Sequence, residues 1–364
     1  MDHSTLVFDA LDVDLVVKVL ANTAFSPFFT GMIPVFYYFH VGTLKNDMVL
    51  SSFYYFLLVS SFWFTKWCSR LYRNHENFLF ASPPLDWSEQ IVVITGGASG
   101  VGELLANTLA VRNVTVVVLD VKPIATENYN IAYYECDVSD WEQVKTVAKA
   151  VIEEVGQPTI LVNNAGIVQG KLLLDLDPED VKQTFNVNTL ASFWTLKAFL
   201  PGMIKEKKGH IVTIGSMLGM FGIPQLSDYC ASKAALISLS ESLRYELDAR
   251  YECPEIRTTL VLPGYMQTPM FSAVAHPTSR LFRFFFPSLQ PLEVVKRIIA
   301  SLNDRHSETI YLPFYATLSP LSALAPSFIR DLAQWVTGAD HSMQGFKRDG
   351  GERGGEQPGA KSKH

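Results

Sequence analysis

The chain has 364 residues, which is enough for one large domain or two small ones. Its net charge of −6 carries no basic signature, so nucleic acid is not an expected partner. Its four cysteines form no Cys-x-x-Cys pair, which argues against a disulfide framework or a zinc site. Hydrophobic residues make up 48% of the chain and charged residues only 18%, which is apolar for a soluble enzyme.

The apolar excess begins in the first segment of the chain. No Asp, Glu, Lys or Arg occurs between Val19 and Leu44, and a second uncharged run covers Met48 to Thr65. As a helix the second run would span about 27 Å, close to the thickness of an endoplasmic reticulum bilayer. The basic residues Lys66, Arg70 and Arg73 follow it, which predicts that its C-terminal side faces the cytosol.

Residues 1–73 are therefore predicted to be a membrane anchor, followed by a linker over residues 74–89. One membrane span and a hairpin are both open at this point. The alternative is a helix buried in a soluble domain, which would need a partner surface that the rest of the chain does not obviously require.

The glycine-rich run from Thr95 to Gly102 closes an apolar strand that begins at Ile91 and opens a helix. Glycines at such a junction let backbone N–H groups crowd a pyrophosphate at the positive end of the helix. Asp120 ends the next strand, about 20 residues on, where dinucleotide-binding folds place a carboxylate for the ribose. Together these features predict a nicotinamide-dinucleotide site.

From residue 90 onward, strands and helices alternate, which predicts an α/β fold of the Rossmann type with a doubly wound parallel sheet. The segment 90–313 is its predicted catalytic domain. Ser139–Glu142 is a capping box that should start a helix ended by Gly156, and Asp177-Pro178 should open another. The predicted strands are 91–94, 114–119, 159–162, 210–214, 258–262 and 309–312; further helices begin near Tyr229 and cover 291–302.

Ser216, Tyr229 and Lys233 form a second group of candidate residues. Tyr229 and Lys233 are four residues apart, so both emerge from one face of a helix. A nearby ammonium favours the phenolate and should lower the pKa of the phenol toward neutral pH. The serine hydroxyl could then hold a substrate oxygen while the phenol exchanges a proton with it.

Two stretches late in the chain depart from the alternating pattern. Leu281–Phe286 is a dense aromatic patch where a loop is expected. Tyr311 to Ile329 is uncharged but contains three prolines, so an interfacial or lid-like element is expected rather than a spanning helix. Residues 314–343 are thus predicted to be an apolar extension that acts as a lid or contacts membrane, and residues 344–364 a disordered tail.

Six ordered motifs between residue 91 and about residue 270 resemble those of the short-chain dehydrogenase/reductase family. They include its T-G-x-x-x-G-x-G glycine motif, its N-N-A-G motif and a serine thirteen residues before the tyrosine. An acidic adenine contact, a catalytic asparagine and a Pro-Gly motif that closes over the nicotinamide complete the set. The matching residues are Thr95, Gly96, Gly100 and Gly102; Cys136, Asp137 and Val138; Asn163, Asn164, Ala165 and Gly166; Asn188; Ser216 with Tyr229 and Lys233; and Pro263 and Gly264 with Thr268.

The resemblance implies a role for each of four side chains. Tyr229 would be the general acid/base, and Lys233 would lower its pKa and bind the nicotinamide ribose. Ser216 would orient the alcohol or carbonyl, and Asn188 would hold a water that connects Lys233 to solvent.

It also implies the residues that bind the cofactor, and it requires no metal. Neither His210 nor Asp228 has a role in this scheme; we expect His210 to begin a strand and Asp228 to be solvated. The implied cofactor-binding residues are Thr95, Gly96, Ser99, Gly100, Val101, Gly102, Asp120, Asp137, Val138, Asn164, Ala165, Gly166, Tyr229, Lys233, Pro263, Gly264 and Thr268.

Within the family, the segments Phe193–Pro201 and Gly209–Val212 resemble the membrane-attached retinol/retinal and 17β-hydroxysteroid dehydrogenases. The resemblance implies a lipophilic alcohol or carbonyl of the retinoid, steroid or fatty type as substrate. It also implies contact with membrane lipid at the endoplasmic reticulum or a lipid droplet, with the catalytic domain in the cytosol. A homodimer is compatible with it.

The choice of cofactor can be argued from charge. Asp120 can accept both ribose hydroxyls of NAD and would repel the 2′-phosphate of NADP. NAD is therefore favoured, although Lys122 lies two residues on and leaves NADP open. Two alternatives remain: an NADPH-dependent carbonyl reductase of the retinal-reducing type, and a non-catalytic scaffold of the same fold on a membrane or lipid droplet.

Overall fold

A computed structural model describes residues 11–75, 83, 85–126, 128–271, 279–344 and 346. Its centre is a seven-stranded sheet in which every neighbouring pair is parallel, so the predicted α/β fold is confirmed. The strands are β1 (Ile91–Thr95), β2 (Thr115–Asp120), β3 (Ile131–Glu135), β4 (Ile160–Asn163), β5 (His210–Ile214), β6 (Arg257–Pro263) and β7 (Glu308–Leu312).

Helices cover both faces of this sheet and continue at both ends of the described chain. Short 3₁₀ turns and one π-helical turn, Asn186–Leu190, connect several of them. The α-helices are α1 (Val13–Asn22), α2 (Pro27–Val41), α3 (Asp47–Arg73), α4 (Gly100–Ala110), α5 (Trp141–Glu154), α6 (Pro178–Phe185), α7 (Ala191–Glu206), α8 (Ser227–Ala249), α9 (Arg280–Phe285), α10 (Pro291–Asp304) and α11 (Ser327–Thr337).

The strand order β3-β2-β1-β4-β5-β6-β7 sets the position of the site. The chain runs outward from β1 toward β3 and then returns to place β4 on the other side of β1. In such sheets, ligands bind at this switch point, beyond the carboxyl ends of the strands. The ends of β1 and β4 meet there, where the backbone N–H of Asn164 donates to Thr95 Oγ1 (3.0 Å).

Side chains alternate between two buried clusters, as the pleat requires. Val92 and Ile94 pack with α4 and α10 on one face, whereas Val93 and Leu161 pack with α5, α7 and α8 on the other. Continuous Val, Ile and Leu runs are therefore buried on both sides, which explains why these strands could be recognised from sequence.

Local differences from the predicted elements have simple causes. Helix α5 is capped by Asp140 rather than Ser139, because Asp140 Oδ1 accepts from the backbone N–H of Glu142 (2.9 Å). Helix α6 begins as predicted at Pro178, with Asp177 as its cap. The prediction of a loop at Leu281–Phe286 is wrong, because Ser279 accepts from the Phe282 N–H and starts α9.

The N-terminal helices form an apolar unit. Helix α3 is long and apolar enough to cross a membrane, and α1 and α2, bent by 51° at their junction, meet the same test as a pair. Helices α2 and α3 pack antiparallel, with Phe56 so close to Gly31 that a Cβ there would lie 3.0 Å from the ring. Of the predicted linker, residues 76–82 and 84 lie outside the described residues, as do 345 and 347–364 of the predicted tail.

Candidate active site

The glycine-rich turn between β1 and α4 forms one wall of the site. Gly96 and Gly100 have φ of +64° and +60°, which side chains other than glycine rarely adopt. A Cβ on Gly102 would lie 2.4 Å from the Gly96 carbonyl oxygen. Asn164 Nδ2 donates to the carbonyls of Thr95 (3.0 Å) and Gly96 (2.9 Å) and so fixes the turn.

The first turn of α4 borders the cavity beyond the strand ends. Ser99 precedes the helix, but its side chain makes no capping hydrogen bond. Ser99, Gly100 and Val101 all border the cavity. Helix amides left open in this way bind anions, so the turn fits the pyrophosphate of a dinucleotide.

Two carboxylates border the same end of the cavity. Asp120 Oδ2 accepts from the backbone N–H of Ala98 (2.9 Å), and its Oδ1 accepts from that of Lys122 (3.0 Å). Each oxygen keeps a second lone pair, so the carboxylate is held in place and can still accept from ribose hydroxyls. Asp137 Oδ1 accepts from the Ser139 N–H and hydroxyl (2.9 and 2.7 Å).

Tyr229, Ser216, Lys233 and Asn188 come together at the carboxyl ends of β4 and β5. The Ser216 hydroxyl, which follows β5, lies close enough to the Tyr229 phenol to affect its pKa, and both residues border the cavity. Lys233 Nζ donates to the Ile214 carbonyl (2.9 Å) and lies 5.8 Å from the centre of the Tyr229 ring.

Asn188 reaches this cluster from the π-helical turn between α6 and α7. Its Oδ1 accepts from the Ile167 N–H (2.7 Å), and its Nδ2 donates to Ser232 Oγ (3.0 Å). A Cβ placed on Gly166 would lie 3.5 Å from Asn188 Oδ1 and 3.6 Å from Lys233 Nζ. The two polar groups therefore both lie beside Gly166.

Burial shifts the pKa of both the Tyr229 phenol and the Lys233 ammonium. It raises the pKa of the Tyr229 phenol, and the nearby Ser216 hydroxyl offsets only part of that rise. It also lowers the pKa of the Lys233 ammonium to about 8. Desolvation is thus the largest influence on the phenol pKa, and the Lys233 ammonium is directed to the Ile214 carbonyl.

A cavity of about 1650 Å³ joins these groups. Most sequence-predicted residues border it directly. Thr95, Gly102 and Asn188 do not border it, and they contribute through packing and hydrogen bonds from behind its wall. The predicted residues at its surface are Gly96, Ser99, Gly100, Val101, Asp120, Asp137, Val138, Asn164, Ala165, Gly166, Ser216, Tyr229, Lys233, Pro263, Gly264 and Thr268.

Helix α9, the 3₁₀ helix Phe314–Ala323 and helix α11 cover the cavity and are called the roof below. Phe282, Phe286 and Leu318 are among its apolar residues at the cavity. The hydroxyl of Tyr315 accepts from the backbone N–H of Tyr265 (3.0 Å) and sits against Gly264. Sequence reasoning missed Tyr315, because only its contact with the Pro-Gly motif distinguishes it from the surrounding apolar residues.

The structure agrees with the prediction for His210 but not with the prediction for Asp228. His210 begins β5 as predicted; it is buried beside Thr259, and burial lowers its pKa to about 3. It lies at the amino end of the strand, away from the cavity. The prediction that Asp228 is solvated is wrong: it is 4% exposed, and its Oδ2 accepts from the Thr184 hydroxyl (2.7 Å).

We expect Gly102→Ala to weaken dinucleotide binding roughly tenfold or more, since overpacking typically costs ~1–3 kcal/mol. The new methyl would collide with the Gly96 carbonyl and with Asn164 Nδ2. Titration with NADH, followed by fluorescence, measures the loss. Gly222→Ala is the matched control, because a Cβ there meets nothing within 4 Å. Unchanged binding in the Gly102→Ala protein would show that the turn does not cradle the cofactor.

Comparison with known proteins is consistent with this geometry. A family model described as short chain dehydrogenase matches residues 90–278. The human protein named Short-chain dehydrogenase/reductase 3 is 39% identical over 276 residues, covering 72% of this chain and 88% of that protein. Epidermal retinol dehydrogenase 2 of Mus musculus is 36% identical over 279 residues, covering 74% of this chain and 88% of that protein.

Solved structures show the same fold. A short-chain dehydrogenase from Streptomyces avermitilis superposes with a TM-score of 0.56 at 23% identity, covering 68% of this chain and 96% of that chain. Within the described residues, no group of three or more His, Cys, Asp or Glu side chains is placed to hold a metal ion.

Proposed function

The chain belongs to the short-chain dehydrogenase family, and from that membership we propose that it is a membrane-attached enzyme that interconverts a lipophilic alcohol and its carbonyl. Membership makes the protein an oxidoreductase that acts on CH–OH donors with NAD or NADP. The observation that carries the finer proposal is the placement of the Ser216–Tyr229 pair under an apolar roof.

A nicotinamide cofactor held by the glycine turn and Asp120 would supply the hydride chemistry. Ser216 and Tyr229 lie close together at the surface of one cavity, so one substrate oxygen can meet both hydroxyls. Ser216 orients that oxygen, and Tyr229 takes its proton in oxidation or returns it in reduction. The positive charge of Lys233 favours the phenolate, in opposition to burial.

Proton transfer also needs a route to solvent. Lys233 Nζ and Asn188 Oδ1 both lie beside Gly166. A water between the two groups would accept from Lys233 and donate to Asn188. The Asn188 side chain is oriented for this role by its two hydrogen bonds to the backbone of Ile167.

The apolar composition of the roof supports the proposal that the substrate is lipophilic. Phe282 of α9 and Phe286 at its C-cap border the cavity, while Leu281 and Phe285 of the same helix are exposed. In α11, Phe328 and Trp335 are 69% and 76% exposed, and Ile329 borders the cavity. The roof therefore offers apolar surface on both sides. Such surface suits a substrate that arrives from lipid.

We place the enzyme at the cytosolic face of the endoplasmic reticulum or of a lipid droplet. Helix α3 has the length and composition of a membrane segment. The basic residues Arg70 and Arg73 lie in its last turn, beside the catalytic domain. Relatives named as retinol dehydrogenases make a retinoid one candidate substrate; steroids and fatty alcohols are the others.

A cofactor-resolved activity screen tests this proposal. Detergent-solubilised full-length protein would be given retinoid, steroid and long-chain alcohols with NAD or NADP, and the matching carbonyls with NADH or NADPH. We expect turnover with at least one lipophilic class and far less with short, water-soluble alcohols. The Tyr229→Phe protein is the matched inactive control. A preference for short alcohols would contradict the proposed substrate class, and activity mainly in reduction with NADPH would favour the carbonyl-reductase alternative.

A further inference from the structure

Helix α1 is bound to the catalytic domain rather than free beside it. Asp12 caps the helix by accepting from the Leu15 N–H (2.8 Å). Asp14, in the first turn, accepts from the backbone N–H of Phe314 (2.7 Å). Phe314 follows β7 and begins the 3₁₀ helix of the roof. The start of the N-terminal unit therefore lies on the edge of the domain that carries the cavity.

The end of α3 is bound to the same domain. Asn74 caps this helix and is only 1% exposed. Its carbonyl accepts from Arg257 Nη1 (2.7 Å) at the start of β6, and its side-chain oxygen accepts from the Ser307 N–H just before β7. The next residue, His75, makes a further contact with the domain: its Nε2 lies 3.5 Å from Asp248 Oδ1 on α8.

Between these two points the chain leaves the domain and comes back. The Tyr55 hydroxyl donates to the carbonyl of Ala24 (2.8 Å), and Trp63 Nε1 donates to that of Phe25 (2.7 Å). The turn between α1 and α2 is thus held against the middle of α3. Residues 42–46, which join α2 to α3, form the tip of the hairpin farthest from the domain.

We propose that α2 and the first part of α3 cross the membrane as a two-pass hairpin, with α1 and the catalytic domain on one face and the tip on the other. This inference rests on the membrane attachment proposed above. A single pass through α3 would put α1 on the opposite face and would separate Asp14 from Phe314. The two contacts with one domain are compatible only with an even number of crossings.

The composition of the hairpin indicates that the tip reaches the far face. The exposed residue Lys45 lies in the tip and the exposed residue Asp47 directly follows it, whereas Val19 to Leu44 and Met48 to Thr65 contain no charged residue. Charged side chains are costly in hydrocarbon and are placed at its borders. The uncharged part of α3 spans about 27 Å, enough for the thinner bilayer of the endoplasmic reticulum.

Cysteine labelling in sealed vesicles tests this topology. The unsubstituted chain has one partly exposed cysteine, Cys68, so Cys68→Ser is the background. Into it we would place Lys18→Cys on α1, Lys45→Cys at the tip, or Lys149→Cys on α5 as the domain control. We expect a membrane-impermeant maleimide to label the first and third proteins in sealed, cytosol-side-out vesicles, and to label the tip only after permeabilisation.

Each other outcome overturns the topology. Protection of Lys18→Cys in sealed vesicles would place α1 across the membrane and establish a single pass. Labelling of Lys45→Cys before permeabilisation would show that the hairpin does not cross. Thr43→Cys repeats the tip measurement should Lys45→Cys fold poorly. Extraction by alkaline carbonate, measured on the same vesicles, separates failure of this topology from failure of membrane attachment itself.

Discussion

Replacing Tyr229 by Phe should lower kcat by roughly 100- to 10,000-fold, the range that a positioned acid/base contributes. The substitution removes one hydroxyl and keeps the ring, which packs edge-on against Phe271 with the ring centres 6.0 Å apart. Dinucleotide binding should change little, because the glycine turn and Asp120 lie elsewhere along the cavity. Steady-state kinetics and NADH titration on the same preparation measure both quantities.

A matched control lies on the same helix. Tyr245 is in α8 and is 57% exposed, so Tyr245→Phe removes a hydroxyl from the same element without touching the cavity. It should leave kcat and NADH affinity unchanged. Substantial activity in the Tyr229→Phe protein would remove Tyr229 from its proposed role. Equal losses in both variants would indicate damage to α8 rather than lost proton transfer.

Sequence reasoning succeeded where local patterns determine the structure. The strand that begins at Ile91 and the turn that ends at Gly102 are neighbours in the chain, and their residue types are required by backbone geometry. Each predicted strand shifts by no more than one residue in the structure. Tyr229 and Lys233 were placed together correctly because one helix carries both.

Sequence reasoning failed where burial, or a contact with a residue far away in the chain, determines the structure. Strand β3 is not among the predicted strands, because it lies at the sheet edge and most of its side chains are only partly buried. Its sequence neighbours predict that Asp228 is solvated, but in the structure Thr184 of α6 lies next to it and donates to its carboxylate. The contact between Asp14 and Phe314 joins positions 300 residues apart, so no local pattern could predict it.

The phenol pKa shows the same limit. The spacing of Tyr229 and Lys233 correctly indicates proximity, but the balance of charge and desolvation depends on how deeply both are buried. Neighbouring charge and burial shift a phenol pKa in opposite directions. Only the packed structure shows that burial dominates in the protein alone.

Asp120→Ala should move cofactor preference from NAD toward NADP. The carboxylate borders the cavity at the end of β2, so its loss removes an acceptor for the ribose hydroxyls and a negative charge that repels a 2′-phosphate. A charged hydrogen bond of this kind contributes roughly 1.5–3 kcal/mol, or about ten- to a hundredfold in affinity. Lys122 also borders the cavity and could then meet the phosphate. The measurement is kcat/KM for both cofactors with one substrate.

The structure also dictates the control for this substitution. Asp120 accepts from the backbone N–H of Ala98, so alanine would loosen the glycine turn as well as remove the charge. Asp120→Asn keeps the shape and one acceptor oxygen, so it removes the charge and at most one of the two hydrogen bonds from the Ala98 and Lys122 N–H groups, whereas alanine removes both. If repulsion of the 2′-phosphate governs the choice, both variants should gain NADP activity, and the asparagine variant should keep more of its NAD activity. A wild-type enzyme that already prefers NADP would mean that Asp120 serves the turn rather than the ribose, and the reductase alternative would then be the better description of this enzyme.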